Sequence, residues 1–280
     1  MTGMGTWAWK RLGLVGKLAQ NFDDFYRKVC GEEWDDILCG LMTPIPSVER
    51  PNRWYDSQSD EVEVSFPMDR ASIEVPGKLG IEPGHRVLDM CAAPGGKSLI
   101  LWEYMDGKGE LVLNDLSPAR RHRLKSVIER YVPESRRAGI SIKGYDASRT
   151  GMEKPGYYDR VLLDAPCSSE AHILQSEKAM KQWTPARSRQ LVHRQFALIC
   201  SGLMALRPGG RLVYSTCSVC PAENDGIIEK VLKRRKHPCE LIQLESEIGR
   251  KTDYGWMIFP HLHGCGPMYF AALGRPSVMD

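Results

Sequence analysis

Three segments of this chain carry side chains that could do chemistry on a bound molecule. Cys167 stands in Leu-Leu-Asp-Ala-Pro-Cys-Ser-Ser, with Asp164 just ahead of it, and Cys217 stands in Val-Tyr-Ser-Thr-Cys-Ser. Upstream, Val87 to Lys97 reads Val-Leu-Asp-Met-Cys-Ala-Ala-Pro-Gly-Gly-Lys. The thiolate form of cysteine is a strong nucleophile, and a nearby positive charge enlarges its share. Either cysteine alone would read as a buried structural thiol. Both at predicted strand ends, beside a turn of small residues, point to covalent chemistry next to a nucleotide-like cofactor.

That combination suits transfer of a methyl group to a pyrimidine. Carbon 5 of the ring is too weak a nucleophile to take a methyl group unaided. Thiolate addition at carbon 6 makes carbon 5 enolate-like, so it can attack a sulfonium. An acid such as Asp164 near the ring nitrogen or exocyclic amine would stabilise the adduct, and the second thiol would assist the final elimination.

The segment Cys91-Ala92-Ala93-Pro94-Gly95-Gly96-Lys97 follows a predicted strand and opens a predicted helix. Small residues let the backbone approach a ligand closely, and a helix amino end favours negative groups. Asp115 ends the next strand 19 residues after Gly96, where an acid accepts hydrogen bonds from ribose hydroxyls. Asp146 ends the strand after that. The turn lacks Gly-x-Gly-x-x-Gly, which argues against a dinucleotide. S-adenosyl-L-methionine, adenosine carrying a carboxylate and an amine in place of phosphates, suits it better. The bland alternative is a tight strand-to-helix turn with no ligand.

The elements that must position these residues alternate. Strands are expected at 86–90, 109–114, 140–144, 160–163 and 211–215, with helices at 98–104, 119–131, 188–206 and 225–236. Ser117-Pro118 makes a favourable helix start, and Arg-Pro-Gly-Gly at 207–210 a stop. Residues 256–260 and 268–273 could close as an antiparallel pair. Strand–helix alternation means right-handed crossovers and a parallel sheet covered on both faces, with ligands beyond the carboxyl ends of its strands. The expected fold is therefore α/β and Rossmann-like, as in class I S-adenosylmethionine-dependent methyltransferases, with a mostly parallel seven-stranded sheet.

Residues 18–42 carry apolar faces at helical spacing, and 43–60 are rich in proline and polar residues, a linker or loop holding Trp54 and Tyr55. The expected organisation is a helical segment and linker over 1–64, then a catalytic domain over 65–280. The 280 residues suffice for one large domain with an appendage, and a formal charge of +3 permits nucleic-acid binding through a local patch without demanding it. Nine cysteines, several within apolar runs, fit a reducing compartment better than a disulfide frame. Cys217 and Cys220 could be a redox pair or half a zinc site, but no second pair completes one, so no metal is expected. No apolar run approaches the ~18 residues of a membrane span. Lys10, Arg11 and Lys17, with no acid before Asp23, resemble an organellar presequence.

The three motifs, in this order, resemble those of the Sun (NSUN) family of RNA cytosine-5 methyltransferases, over roughly Ser65 to Leu273. That resemblance implies that Cys91 to Lys97, Asp115, Arg120, Asp146, the Ala147 backbone and Asp164 hold S-adenosyl-L-methionine. It implies Cys217 as the nucleophile and Cys167 as the residue that helps release product. Many members have Asp-Gly where this chain has Asp146-Ala147, so an adenine contact there would run through the backbone. Leu18-Ala-Gln-Asn-Phe-Asp23, Asn114-Asp-Leu-Ser-Pro-Ala-Arg120, Tyr131-Val-Pro-Glu134 and Gly266-Pro-Met-Tyr-Phe270 are similar to the mitochondrial, ribosomal-RNA-acting branch. The branch implies a mitochondrial location (the alternative being a bacterial cytoplasm) and no separate RNA-binding domain. It also implies RNA as partner, ribosomal RNA or an assembling subunit, with a helical-repeat protein of the mitochondrial termination-factor type.

RNA could meet three basic segments: Arg120 to Lys125, Lys178 to Arg194, and Lys230 to Lys236. The second follows Cys167 and interleaves cations with Trp183, a pattern that suits a flipped-out or single-stranded base. Two other functions compete. A ribosome-assembly factor would keep the fold and bind RNA without needing catalysis. A DNA cytosine-5 methyltransferase would use the Pro-Cys thiol and need no Thr-Cys thiol on the neighbouring strand.

Overall fold

A computed structural model describes residues 17–59, 61–234 and 237–277. The presequence-like stretch lies almost wholly outside these described residues. The chain opens with helices α1 (Lys17–Cys30) and α2 (Trp34–Met42), then a two-stranded antiparallel sheet of β1 (Val48–Pro51) and β2 (Ser65–Met68). The stretch expected as a linker is thus partly strand. Asn52 anchors it, its side-chain amide donating to Glu63 O at 2.8 Å and Tyr131 O at 3.0 Å. Helix α3 (Arg70–Gly77) leads into the main sheet.

The alternation then runs β3 (Arg86–Asp89), α4 (Gly96–Tyr104), β4 (Glu110–Asn114), α5 (Pro118–Tyr131), β5 (Ile140–Lys143), α6 (Thr150–Glu153) and β6 (Tyr158–Asp164). Next come α7 (Glu170–Gln175), α8 (Glu177–Gln182), α9 (Pro185–Ala205), β7 (Leu206–Thr216) and α10 (Asp225–Arg234). The chain closes with β8 (Glu240–Ile242), β9 (Arg250–Lys251), β10 (Trp256–Ile258), α11 (Pro260–His263) and β11 (Met268–Gly274). Ser117 caps α5 as its sequence suggests, its side chain accepting from the Arg120 amide.

The sheet order is β5-β4-β3-β6-β7-β11-β10-β9, with β8 also paired to β11. The five strands from β5 to β7 are parallel, and β11 returns antiparallel to β7. Among the described residues the sheet has nine strands, not the expected seven. The two unexpected strands, β8 and β9, are three and two residues long, too short to show a sequence period, whereas β10 and β11 form the antiparallel pair expected at 256–260 and 268–273. β8 and β10 pair the far side of β11, all of which is buried, and so spare it an unpaired inner edge, while β9 pairs the outer side of β10.

Burial follows the strand period of two. Val161, Leu163, Leu212, Tyr214, Tyr269 and Ala271 face a core shared with Phe22, Tyr26 and Trp34 of the first two helices. Leu162, Val213, Phe270 and Ala272 face the other core, with Leu101 and Trp102 of α4 and Leu124 of α5. Strand order reverses between β3 and β6, which puts a crevice at their carboxyl ends. All three chemistry-bearing segments leave strands on that side.

Candidate active site

The turn after β3 is shaped by its glycines. Gly95 has φ +121, and a Cβ there would come within 3.0 Å of Leu124 and Val127. A Cβ on Gly96 would sit 2.9 Å from the Phe66 ring. The turn is thereby wedged between α5 and β2. It forms one wall of a cavity of about 210 Å³ lined by Cys91, Ala92, Ala93, Pro94, Gly95, Gly96, Lys97 and Asp164. Phe66, Pro67, Met68, Asp69, Ser72 and Asp89 complete the lining. Asp89 belongs to the segment already singled out; the other five, on β2 and the start of α3, went unread in the sequence, because nothing local signals that they fold over the turn.

Asp115, Arg120, Asp146 and Ala147 do not line this cavity. The Asp115 carboxylate accepts from the Ser117 amide at 2.9 Å and pairs with Arg120 at 3.3 Å. Arg120 in turn donates to the Ala93 carbonyl, so the two border the turn. Asp146 is exposed and caps the following turn through the Ser148 amide at 3.1 Å. Ala147 is buried, its carbonyl held by Ser201 Oγ at 2.7 Å.

Asp164 ends β6 and joins both halves of the site. Its Oδ2 accepts from Lys97 Nζ at 2.7 Å and its Oδ1 from Ser215 Oγ at 2.9 Å. Burial works against the Lys97 ammonium, but Asp164 outweighs it and the ammonium is held more firmly than in water. Cys91 has its thiol pushed up to about 12 by burial among carboxylates, which suits it to line the cavity and not to attack.

Cys167 and Cys217 meet with their sulfurs 3.1 Å apart, and Ser169 Oγ lies 3.1 Å from Cys217 and 3.4 Å from Cys167. The hydrogen bond from Cys167 draws the Cys217 thiol below the usual range, against its burial, with Ser169 helping. The same bond, then burial, pushes Cys167 up. The contact thus favours the thiolate at Cys217 over the thiolate at Cys167. Ser169 holds φ 54, a left-handed conformation rare for serine, and such strain concentrates at working sites.

A second cavity, of about 220 Å³, runs from Cys167 and Ser169 toward His172, Gln182, Arg187 and Ser188. Trp183 edges it but is only 4% exposed, packed against Phe22 at 4.9 Å and Phe25 at 5.4 Å between ring centroids. The expectation of Trp183 as an open stacking platform is corrected: the apolar face of α1 claims it. Lys178, Lys181, Arg187, Arg189 and Arg194 are exposed, as the basic stretch requires. Lys230 and Arg234 instead lie over the Phe196 ring at 5.1 and 5.3 Å.

Three buried acids, Asp89, Glu170 and Glu223, carry raised pKa values, burial being the first cause in each. Asp89 and Glu170 are each pushed up to about 7, foremost by burial, from ordinary values of 3.8 and 4.5. Between about pH 4.5 and 7 the folded protein then binds more protons than the unfolded chain, so stability falls as pH rises. At ~1.4 kcal/mol per pH unit, each group contributes on the order of 3 kcal/mol. The carboxylates held low by cationic partners (Glu33, Asp35, Glu74) titrate below that window. We expect the urea midpoint to drop between about pH 5 and pH 7.5. A flat or rising midpoint would mean these acids are ionised in the native state.

Fold and site together define a Rossmann-like α/β domain with a small-residue turn and a thiol pair at the crevice. Residues 78–274 match the family described as 16S rRNA methyltransferase RsmB/F, and the chain belongs to that family. The 5-cytosine rRNA methyltransferase NSUN4 of Xenopus laevis is 35% identical over 228 residues, 75% of this chain and 56% of that protein. The tRNA (cytosine(34)-C(5))-methyltransferase, mitochondrial, of Danio rerio is 38% identical over 214 residues, 70% and 57% of the two chains. This chain thus spans little more than half the length of these relatives. A crystal structure of NSun6 from Pyrococcus horikoshii with SFG superposes with a TM-score of 0.68 at 25% identity, covering 80% of this chain and 56% of that one.

Proposed function

We propose that this protein methylates carbon 5 of a cytosine in RNA, ribosomal RNA in the first place, using S-adenosyl-L-methionine. The observation that carries this reading is the thiol pair, 3.1 Å apart, with Cys217 favoured as thiolate and Cys167 as thiol. The names of the relatives support the same chemistry and the RNA class.

S-adenosyl-L-methionine, when bound, supplies a methyl group on a sulfonium. The residues that would hold it are Cys91 to Lys97 and Asp164, with Asp115, Arg120, Asp146 and the Ala147 backbone at the rim. They fit such a ligand. Asp89 lines the cavity with a buried Oδ1 that has no partner, and a ligand carrying two positive centres matches two carboxyl groups there.

Cys217 adds to carbon 6 as the thiolate, forming the S–C bond and moving charge onto the ring. Asp164, hydrogen-bonded by Lys97 and Ser215, accepts from the exocyclic amine and orients the base. Once Cys217 is bonded to carbon it has no charge left to receive the Cys167 hydrogen bond. The main influence raising Cys167 is then gone, and its proton is released to water. After carbon 5 has gained its methyl group, the Cys167 thiolate takes the carbon-5 proton. The S–C bond then breaks and Cys217 leaves as thiolate, which restores both thiols.

Incubation with methyl-labelled S-adenosyl-L-methionine and RNA should yield labelled 5-methylcytidine after nuclease digestion. Label confined to DNA cytosine, or to another nucleoside, would overturn the proposal. Bisulfite sequencing of cellular RNA with and without the gene would then name the position. Asp115→Ala should weaken S-adenosyl-L-methionine binding by about 10- to 100-fold, the worth of a charged hydrogen bond. Unchanged affinity by calorimetry would remove Asp115 from the site. A mitochondrial location belongs to the same reading, supported by the zebrafish relative's name, and so does the helical-repeat partner of the termination-factor type that the family resemblance implies.

A further inference from the structure

Two buried carboxylates that this chemistry does not use lie between the loops carrying the thiols. Glu170 and Glu223 are both 0% exposed, and neither has a cationic partner among the described residues. Each acid follows one cysteine in the chain and binds the segment of the other, Glu223 lying also 3.3 Å from Ser218 Oγ on its own side. Glu170, just after Cys167, accepts from Ser218 Oγ at 2.8 Å and from the Val219 amide at 3.2 Å, on the Cys217 side. Glu223, just after Cys217, accepts from the Ser168 amide at 3.0 Å and from Ser168 Oγ, on the Cys167 side.

The crossing is reciprocal and braced from outside. Gln195 of α9 donates to Glu223 at 2.8 Å and to the Pro166 carbonyl at 2.9 Å, and Tyr26 of α1 donates to Glu170 at 2.7 Å. Uncompensated buried acids are costly, so a fold that keeps two of them uses the geometry they impose. That geometry is the spacing of neighbouring residues on two loops, hence of the sulfurs between them.

We propose that Glu170 and Glu223 are positioning residues, two crossed struts that hold Cys167 within hydrogen-bond reach of Cys217 and so make Cys217 the reactive thiol. The proposal rests on the reading of Cys217 as the attacking group, but its test needs neither RNA nor cofactor. Sulfur–sulfur hydrogen bonds weaken quickly with distance, so a small drift of either loop returns Cys217 toward an ordinary buried thiol.

The test is the pH dependence of Cys217 alkylation by iodoacetamide in the full chain, read by peptide mass spectrometry to separate it from the other cysteines. Cys167→Ala marks the profile of a Cys217 without its donor. Glu223→Gln is expected to move the midpoint upward toward that profile, with about tenfold slower alkylation near neutral pH for each pH unit moved. Added to Cys167→Ala, the same substitution should move nothing further. A Glu223→Gln profile overlying the wild type, or an equal shift with and without Cys167, overturns the proposal. If Glu223→Gln does not fold by circular dichroism, Glu170→Gln and Ser168→Ala cut the struts singly and decide by the same criterion. Loss of the strut effect with methyl transfer intact refutes the struts alone; absent methyl transfer with the strut effect intact refutes only the proposed activity.

Discussion

Replacing Cys217 by alanine is expected to abolish methyl transfer, while replacing Cys167 by alanine leaves a protein–RNA adduct that survives denaturation. Without Cys217 nothing adds to carbon 6, and carbon 5 stays too weakly nucleophilic to be methylated; the loss should reach the assay floor, at least ~10⁴-fold. Without Cys167 the addition and the methylation still proceed, since neither needs its proton. The carbon-5 proton then has no base at hand, and the S–C bond persists. A denaturing gel with labelled RNA reads the outcome directly. The adduct is expected in Cys167→Ala, not in Cys217→Ala, and not in the double variant. An adduct in the Cys217 variant would reverse the two roles. The 3.1 Å separation also predicts that Cys167→Ala slows adduct formation, because Cys217 loses the donor that favours its thiolate.

Asp164→Asn is expected to lower methyl transfer by ~10²–10⁴-fold and to destabilise the fold at the same time. The two effects come from different bonds. Stability suffers because Lys97, 13% exposed, keeps its charge but loses the carboxylate at 2.7 Å. An orphaned buried charge costs about 3–5 kcal/mol, and the 32% exposure of Asp164 places this case at or below the low end. The rate suffers because an amide can no longer accept from the base amine with a full charge. Adding Lys97→Met removes the orphaned ammonium and should recover most of the melting temperature without recovering the rate. Single-turnover kinetics and thermal melts separate the two. A double variant that regains the rate would mean Asp164 serves only to neutralise Lys97.

Much of the site could be read from the chain because a parallel sheet buried on both faces writes its strands as apolar runs. The residue ending each run is then conspicuous: Asp89 and the turn to Lys97, Asp115, Asp146, Asp164 with Cys167, and Cys217. The helix stop at Arg-Pro-Gly-Gly and the cap at Ser117 depend on neighbours in sequence, and both stand where expected. Reading failed where partners are far apart along the chain. Trp183 sits among cations and looked available to a base, yet Phe22 and Phe25 enclose it. Glu170 and Glu223 drew no reading at all, since nothing local says that each reaches the other's loop.

The sequence by itself thus determined the order of the strands along the chain, the cofactor turn and the identity of the two thiols. These follow from local rules of period, capping and residue chemistry. Only the tertiary structure decided that the sulfurs touch and that β2 closes the cavity beside the turn. Those are matters of distance and burial: hydrogen bonding and desolvation change steeply over an ångström, and residues some fifty positions apart acquire such distances only when the sheet assembles.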